Sequence, residues 1–308
     1  MSPSCACSGR AWGVKLGLMG AKMFDFNGIA QLQGDAQIEG LTRLARKALT
    51  SALTDEERQS LVDAIVTALA AGQGASRQRL ELSEALGHLG DPRLRSPTDE
   101  DYWCVVGVPY EDVAVARYPV TNAEYVAWVE AGGYDDEKAW TEAGRAWLGS
   151  CDNPWHVLAQ RDDAAPFVVA NQPVVGVTWF EASAYARAHG ARLLRTDERV
   201  WVTRGEERRP YPWGSPFGEG NANTREECLD RPCGVGMFLG DRTPDGVYDL
   251  AGNVAEWSGD EPVVGDERLV HPGCWEQPSM AAWAKALIFV RPEARRTSLG
   301  FRLGRDVV

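Results

Sequence analysis

Apolar residues recur at helical spacing between Ala36 and Gly90. Leu41, Leu44, Ala45 and Leu49 make one stripe, and Leu61, Ile65, Val66 and Leu69 make a second. A third runs through Leu82, Leu86 and Leu89. The punctuation agrees with the periods. Thr54 and Glu57 form a capping box at the start of the second helix, and Gly90 followed by Asp91-Pro92 ends the third. Residues 34–92 therefore read as a small three-helix region. So short a unit buries little surface by itself. It is expected to dock on the rest of the chain or on another molecule, and thus to serve attachment or assembly. Residues 1–33 are Gly-rich and weakly patterned, and we expect a poorly ordered N-terminus there.

The acidic, Pro-containing stretch 93–101 reads as a linker, and 102–308 as a second domain. Val113–Val120 is β-rich and predicts a strand. Thr121 with Glu124 opens a helix to about Ala131. Thr178 with Glu181 opens another that ends at Gly190, and Asp197–Thr203 reads as a further helix. The intervening stretches are long and rich in Gly, Pro and Asn. Such loops are functional or tied down by ligands.

The chain has 308 residues, 44% of them hydrophobic, enough for a sizeable core. Its net charge of −12 argues against nucleic acid, whose phosphates need a basic face, and against an anionic membrane surface. No stretch approaches the roughly 18 apolar residues of a membrane span, and no secretory signal is apparent. The seven cysteines show no metal-type spacing, so a cytoplasmic protein with mostly reduced thiols is expected. The spacing of Cys228 and Cys233 suits closure of a small loop. His88, His156, His189 and His271 are scattered, which disfavours a transition-metal site built on histidine. Twelve tryptophans suit either core anchoring in an irregular fold or aromatic ligand contacts.

The densest chemistry lies in Asp245-Gly-Val-Tyr-Asp-Leu-Ala-Gly-Asn-Val-Ala-Glu-Trp257. Asp249 and Glu256 flank a Gly-Asn pair suited to turning carbonyls inward. Carboxylates plus carbonyls suit a hard cation, while the plainer reading is a turn with two solvated acids. The segment resembles the G-L-Y-D-M-x-G-N-V-W-E-W signature of the formylglycine-generating-enzyme, or sulfatase-modifying-factor, family. Ala116–Tyr125, Gln172–Ala182, Arg192-Leu-Leu, Tyr211-Pro-Trp-Gly214, Asn221-Ala-Asn223 and Leu299-Gly-Phe-Arg302 resemble further motifs of that family, in the same order. The resemblance implies an α+β, C-type-lectin-like domain with much irregular structure.

The same resemblance implies a Ca²⁺ site with Asp249 and Glu256 as side-chain ligands and carbonyls from Gly252 and Val254. Ala255 stands where the family often has Trp. A second family cation site would use Asn223, although Asp230 does not align cleanly as its partner. Catalytic members hold copper on two thiolates between a Gly-Gly-Ser turn and the final Gly-Phe-Arg. Here that region has a single cysteine, Cys274, at the Ser position. One thiolate cannot supply the two-coordinate soft site that Cu(I) takes, so copper is not expected. Sulfoxide-forming relatives need a His-rich iron site from helices, and these helices carry only His88.

The C-terminal segment then reads as a binding surface for a protein ligand, over residues 272–297. Candidate contacts are Cys274, Trp275, Glu276, Gln277, Met280, Trp283, Lys285, Leu287, Phe289, Arg291, Glu293 and Arg295, with Trp275, Trp283 and Phe289 expected to be exposed. The layout resembles the variable proteins of diversity-generating retroelements. The reading is a noncatalytic ligand-recognition protein. The alternatives are an oxidoreductase acting on protein cysteine with displaced thiols, and a structural module of a larger bacterial assembly.

Overall fold

A computed structural model describes residues 28–29 and 32–307, apart from 110 and 263–264. The expectation for residues 1–33 falls almost wholly outside the described residues. Helices α1 (Asp35–Ala48), α2 (Asp55–Ala70) and α3 (Ser76–Leu89) form within a residue or two of the bounds set by the periodicity. The Thr54 hydroxyl accepts from Glu57 N–H while the Glu57 carboxylate accepts from Thr54 N–H, closing the capping box that starts α2. Leu49 is a departure: it lies at the end of its stripe and is half exposed.

The next elements are β1 (Trp103–Val108), β2 (Glu111–Ala116), α4 (Asn122–Glu130), α5 (Glu142–Gly149), α6 (Trp155–Leu158), α7 (Trp179–Ala188), β3 (Arg192–Leu193) and α8 (Thr196–Arg204). The chain closes with β4 (Ala255–Trp257), β5 (Arg268–His271), β6 (Ile288–Val290), β7 (Leu299–Phe301) and β8 (Leu303–Asp306). Two four-stranded sheets result, ordered β1-β2-β8-β3 and β6-β5-β4-β7. The predicted strand starts and ends earlier than expected, because Pro119 cannot continue a ladder. The capping boxes at Thr121 and Thr178 both form. This is an α+β fold.

Most pairs in the sheets are antiparallel, but β4 and β7 run parallel, with Glu256 opposite Gly300. That pairing brings two distant motifs side by side. Gly300 is required there, because a Cβ would sit 2.4 Å from the Val174 carbonyl oxygen. The main core lies against this sheet and gathers Tyr125, Trp128, Trp155, Tyr185, Trp257 and Phe301.

The helical region does not stand apart. Its core contains Leu61, Ile65, Leu80 and Leu86 together with Leu229, Cys233, Met237 and Phe238 from the second domain. Polar contacts reinforce the joint: Arg231 pairs with Glu84 at 2.7 Å, and Arg77 donates to the Cys228 carbonyl. Cys228 and Cys233 are both free thiols, one exposed and one buried, so the small loop that their spacing could close is not closed by a disulfide. The stretch 93–101 is pinned rather than loose, since Arg93 pairs with Asp91 and Pro97 accepts from the Trp103 indole. Among the described residues, no helix is long and apolar enough to cross a membrane.

Candidate functional site

The Gly-Asn turn is a structural clasp. Asp249 and Asn253 both take left-handed backbone (φ 57° and 68°), which short polar side chains tolerate. The Asn253 amide exchanges hydrogen bonds with both backbone groups of Cys233. Its own backbone N–H donates to Asn223, and its carbonyl accepts from Trp275. Gly252 is needed because a Cβ would lie 2.6 Å from the Asn223 carbonyl oxygen. Asp241, which sequence reasoning passed over, is buried and accepts from the backbone N–H groups of Leu250, Ala251 and Gly252. Nothing in the sequence around Asp241 signals that role.

Glu256 is also buried, but it is fully engaged. Its Oε2 accepts from Arg199 Nε at 2.9 Å and its Oε1 from Arg302 Nη2 at 2.9 Å. Burial alone would push this carboxyl up, yet the two guanidiniums hold it below its usual range. Arg302 donates as well to the carbonyls of Ala116 and Tyr248, which gives the terminal Gly-Phe-Arg its physical role. The Asp249 carboxylate accepts from Gly236 N–H. Burial, then the neighbouring Asp241 charge, push Asp249 up to about 7, and burial pushes Asp241 up to about 6.

These residues do not fit a calcium ion. A cation needs free anionic oxygens, and Glu256 already faces two cationic side chains. With Glu256 so engaged, only the Asp249 carboxylate and the Gly252 and Val254 backbone remain of the expected ligand set. Asn223 donates its amide N–H to the Arg231 carbonyl and keeps a buried Oδ1 without a partner, while Asp230, its candidate partner, is exposed. Among the described residues, no group of three or more His, Cys, Asp or Glu is placed to hold a metal.

The segment 272–297 divides into a pinned part and an open part. Cys274 is buried, and burial pushes its thiol up to about 11. It is therefore not an exposed contact residue. Arg295 is also corrected: it pairs with buried Glu181 at 2.6 Å. Glu181 in turn caps α7 through Thr178 and accepts from Tyr134 and the Trp155 N–H. Trp275 is half-buried rather than exposed; its indole donates to the Thr297 carbonyl and its ring meets Phe167. Glu276 is half-buried and takes the Ser298 hydroxyl.

The open part is apolar. Met280 is 76% exposed, Trp283 47%, Leu287 38% and Phe289 47%. Gln277, Lys285, Arg291 and Glu293 are exposed around them. Leu287 directly precedes β6, which carries Phe289 and lies at the sheet edge, bonded on one side to β5. The turn bearing Met280 and Trp283 rests on a stacked aromatic base of Tyr211 and Trp213, with Ala284 N–H donating to the Pro210 carbonyl. The Tyr-Pro-Trp-Gly run was legible as a motif, but its role as a seat for this turn was not.

Residues 97–307 match the model of the sulfatase-modifying factor enzyme 1-like domain. The chain is 30% identical over 248 residues to hercynine oxygenase of Mycolicibacterium thermoresistibile, covering 66% of this chain and 52% of that protein. It is 30% identical over 156 residues to the inactive C-alpha-formylglycine-generating enzyme 2 of Mus musculus, covering 42% of this chain and 48% of that one. The chain thus spans about half the length of these curated relatives. Among solved structures it is similar to Treponema denticola variable protein 1, with a TM-score of 0.47 and 17% identity, covering 64% of this chain and 85% of the other.

Proposed function

The chain belongs to the sulfatase-modifying factor enzyme 1-like family, and on that premise we propose that it is a noncatalytic member that recognises a protein ligand through the open part of residues 272–297. The observation that carries this reading is the exposure of Met280, Trp283, Leu287 and Phe289 within ten residues, with the turn that bears the first two seated through Ala282 on Tyr211 and Trp213. Large apolar side chains grouped in the open mark interaction sites, and a Trp rimmed by Arg and Glu is a typical anchor. The chemistry of the segment supports the same reading. Cys274 is the one thiol between Gly273 and Gly300, and it is buried and protonated at neutral pH. Five described cysteines are unpaired, which suits a reducing cytoplasm. Diversification of the segment by a retroelement belongs to the same proposal and is read out by sequencing this segment across isolates.

A second reading follows from the similarity to hercynine oxygenase: an oxygenase acting on a small molecule. It calls for a metal-binding cluster that the described residues do not bring together.

Site-specific photocrosslinking decides between them. A photoreactive residue at position 283 is expected to trap a defined partner, whereas one at exposed Leu239 is not. The purified partner should then lose at least tenfold in affinity for Trp283→Ser and Phe289→Ser. Equal crosslinking at both positions, or turnover of hercynine or of a cysteine peptide by the purified chain, overturns the proposal.

A further inference from the structure

A cleft of about 250 Å³ opens where residues 295–297 pass the 155–168 region. Trp155, Leu158, Phe167 and Val175 form its apolar wall, and Arg296 and Thr297 stand among its lining. The volume lies just below the roughly 300–1,000 Å³ of sites for drug-sized ligands, so a smaller occupant suits it. An apolar wall favours an apolar body.

The charges around the cleft are uneven. Arg295 is neutralised by Glu181, and Arg161 by Asp163 at 3.1 Å. Arg296 is exposed and makes no ion pair among the described residues, although it also lines a small neighbouring pocket with Glu276, whose carboxylate takes the Ser298 hydroxyl. Its side chain therefore leaves one uncompensated positive charge beside an apolar cavity. The guanidinium fork matches a carboxylate in plane and spacing, and the adjacent Thr297 hydroxyl is a further donor. A phosphate monoester carries more charge than one arginine balances, and an amine is repelled.

We propose that this cleft binds a small apolar monocarboxylate, with its body against Trp155 and Phe167 and its carboxylate on Arg296 and Thr297. Neither Trp283 nor Phe289 lines this cleft, so the two proposals are tested by different variants.

Titration calorimetry on the full chain tests this with octanoate, and with octanol and octylamine as charge controls. Octanoate is expected to bind at submillimolar concentration and octylamine not at all. Arg296→Gln should weaken octanoate roughly 10- to 100-fold, the loss expected for a charge-assisted hydrogen bond, while Arg296→Lys retains part of the affinity. Ala164→Leu, which fills the cleft, should abolish binding with the melting temperature kept as a check on folding. Trp283→Ser should leave binding unchanged. No heat with millimolar octanoate, equal affinity for octylamine, indifference to Arg296→Gln, or loss in Trp283→Ser each overturns the proposal.

Discussion

Glu256 owes its character to residues that the sequence keeps far away. Arg199 lies 57 positions before it and Arg302 lies 46 after it. The local pattern showed two acids around a Gly-Asn turn and nothing of these partners, so a cation site was a natural reading of the residues, whereas in the fold Glu256 faces two guanidiniums. The exposure of Trp283 and Phe289 was legible, because an apolar run rimmed by charges has few ways to be buried entirely. The burial of Cys274 was not, since it depends on packing with the sheet core. Replacing Glu256 with Gln leaves two buried guanidiniums facing a neutral amide. Breaking one side of a buried charge group costs about 3–5 kcal/mol, and urea unfolding should show a loss of that size. Calcium, added or chelated, should leave the melting temperature of the native chain unchanged; an increase with calcium would restore the cation reading.

Elements with a strong period or a cap were legible, and short ones were not. The three N-terminal helices carry stripes of apolar residues, and α4 and α7 carry capping boxes that fix their starts. Strands β4, β6 and β7 have three residues each and β3 two. No alternation can be read from so few positions. What holds them is long-range pairing, such as β4 beside β7. The loop Cys228–Phe238 was equally opaque. It reads as a turn-rich connection, yet it supplies the apolar floor on which α2 and α3 pack. Phe238 is fully buried there, with the Arg79 guanidinium 5.0 Å from its ring centre. Phe238→Ala should cost about 3–5 kcal/mol. The loss should fall first on the helices, so amide exchange over residues 35–89 should accelerate more than exchange in β4 and β7. Uniform acceleration along the chain would mean that the joint is not a separable layer.

At the scale of the whole molecule, buried acids divide into two classes with opposite pH behaviour. Burial raises Glu124 to about 7, Asp241 to about 6 and Asp249 to about 7, the last aided by Asp241. Burial opposes the ionised forms of Asp91 and Glu256 as well, but Arg93 holds the first below its usual range and Arg199 with Arg302 the second. A raised acid binds its proton more tightly in the folded state. Its contribution is fully present below the ordinary carboxylate pKa of about 4 and is lost as pH rises through 6 and 7. A lowered acid contributes above that ordinary pKa, and its share is lost as pH falls through the folded value. The net charge of −12 adds repulsion that grows as these carboxyls ionise. Stability should therefore be greatest at about pH 4–5 and decline up to about pH 7. Asp249→Asn takes out one of the acids that burial raises most. Asn tolerates the left-handed backbone at this position, keeps an oxygen for the Gly236 N–H, and removes one charge from the buried pair with Asp241. The variant should gain on the order of 1–3 kcal/mol at pH 8 and little at pH 5, flattening the profile between them. Melting curves of both proteins across that range measure the difference. A wild-type stability that climbs steadily from pH 5 to 8, or an Asn variant weakened equally at both ends, would show that the pair is ionised without penalty in the folded chain.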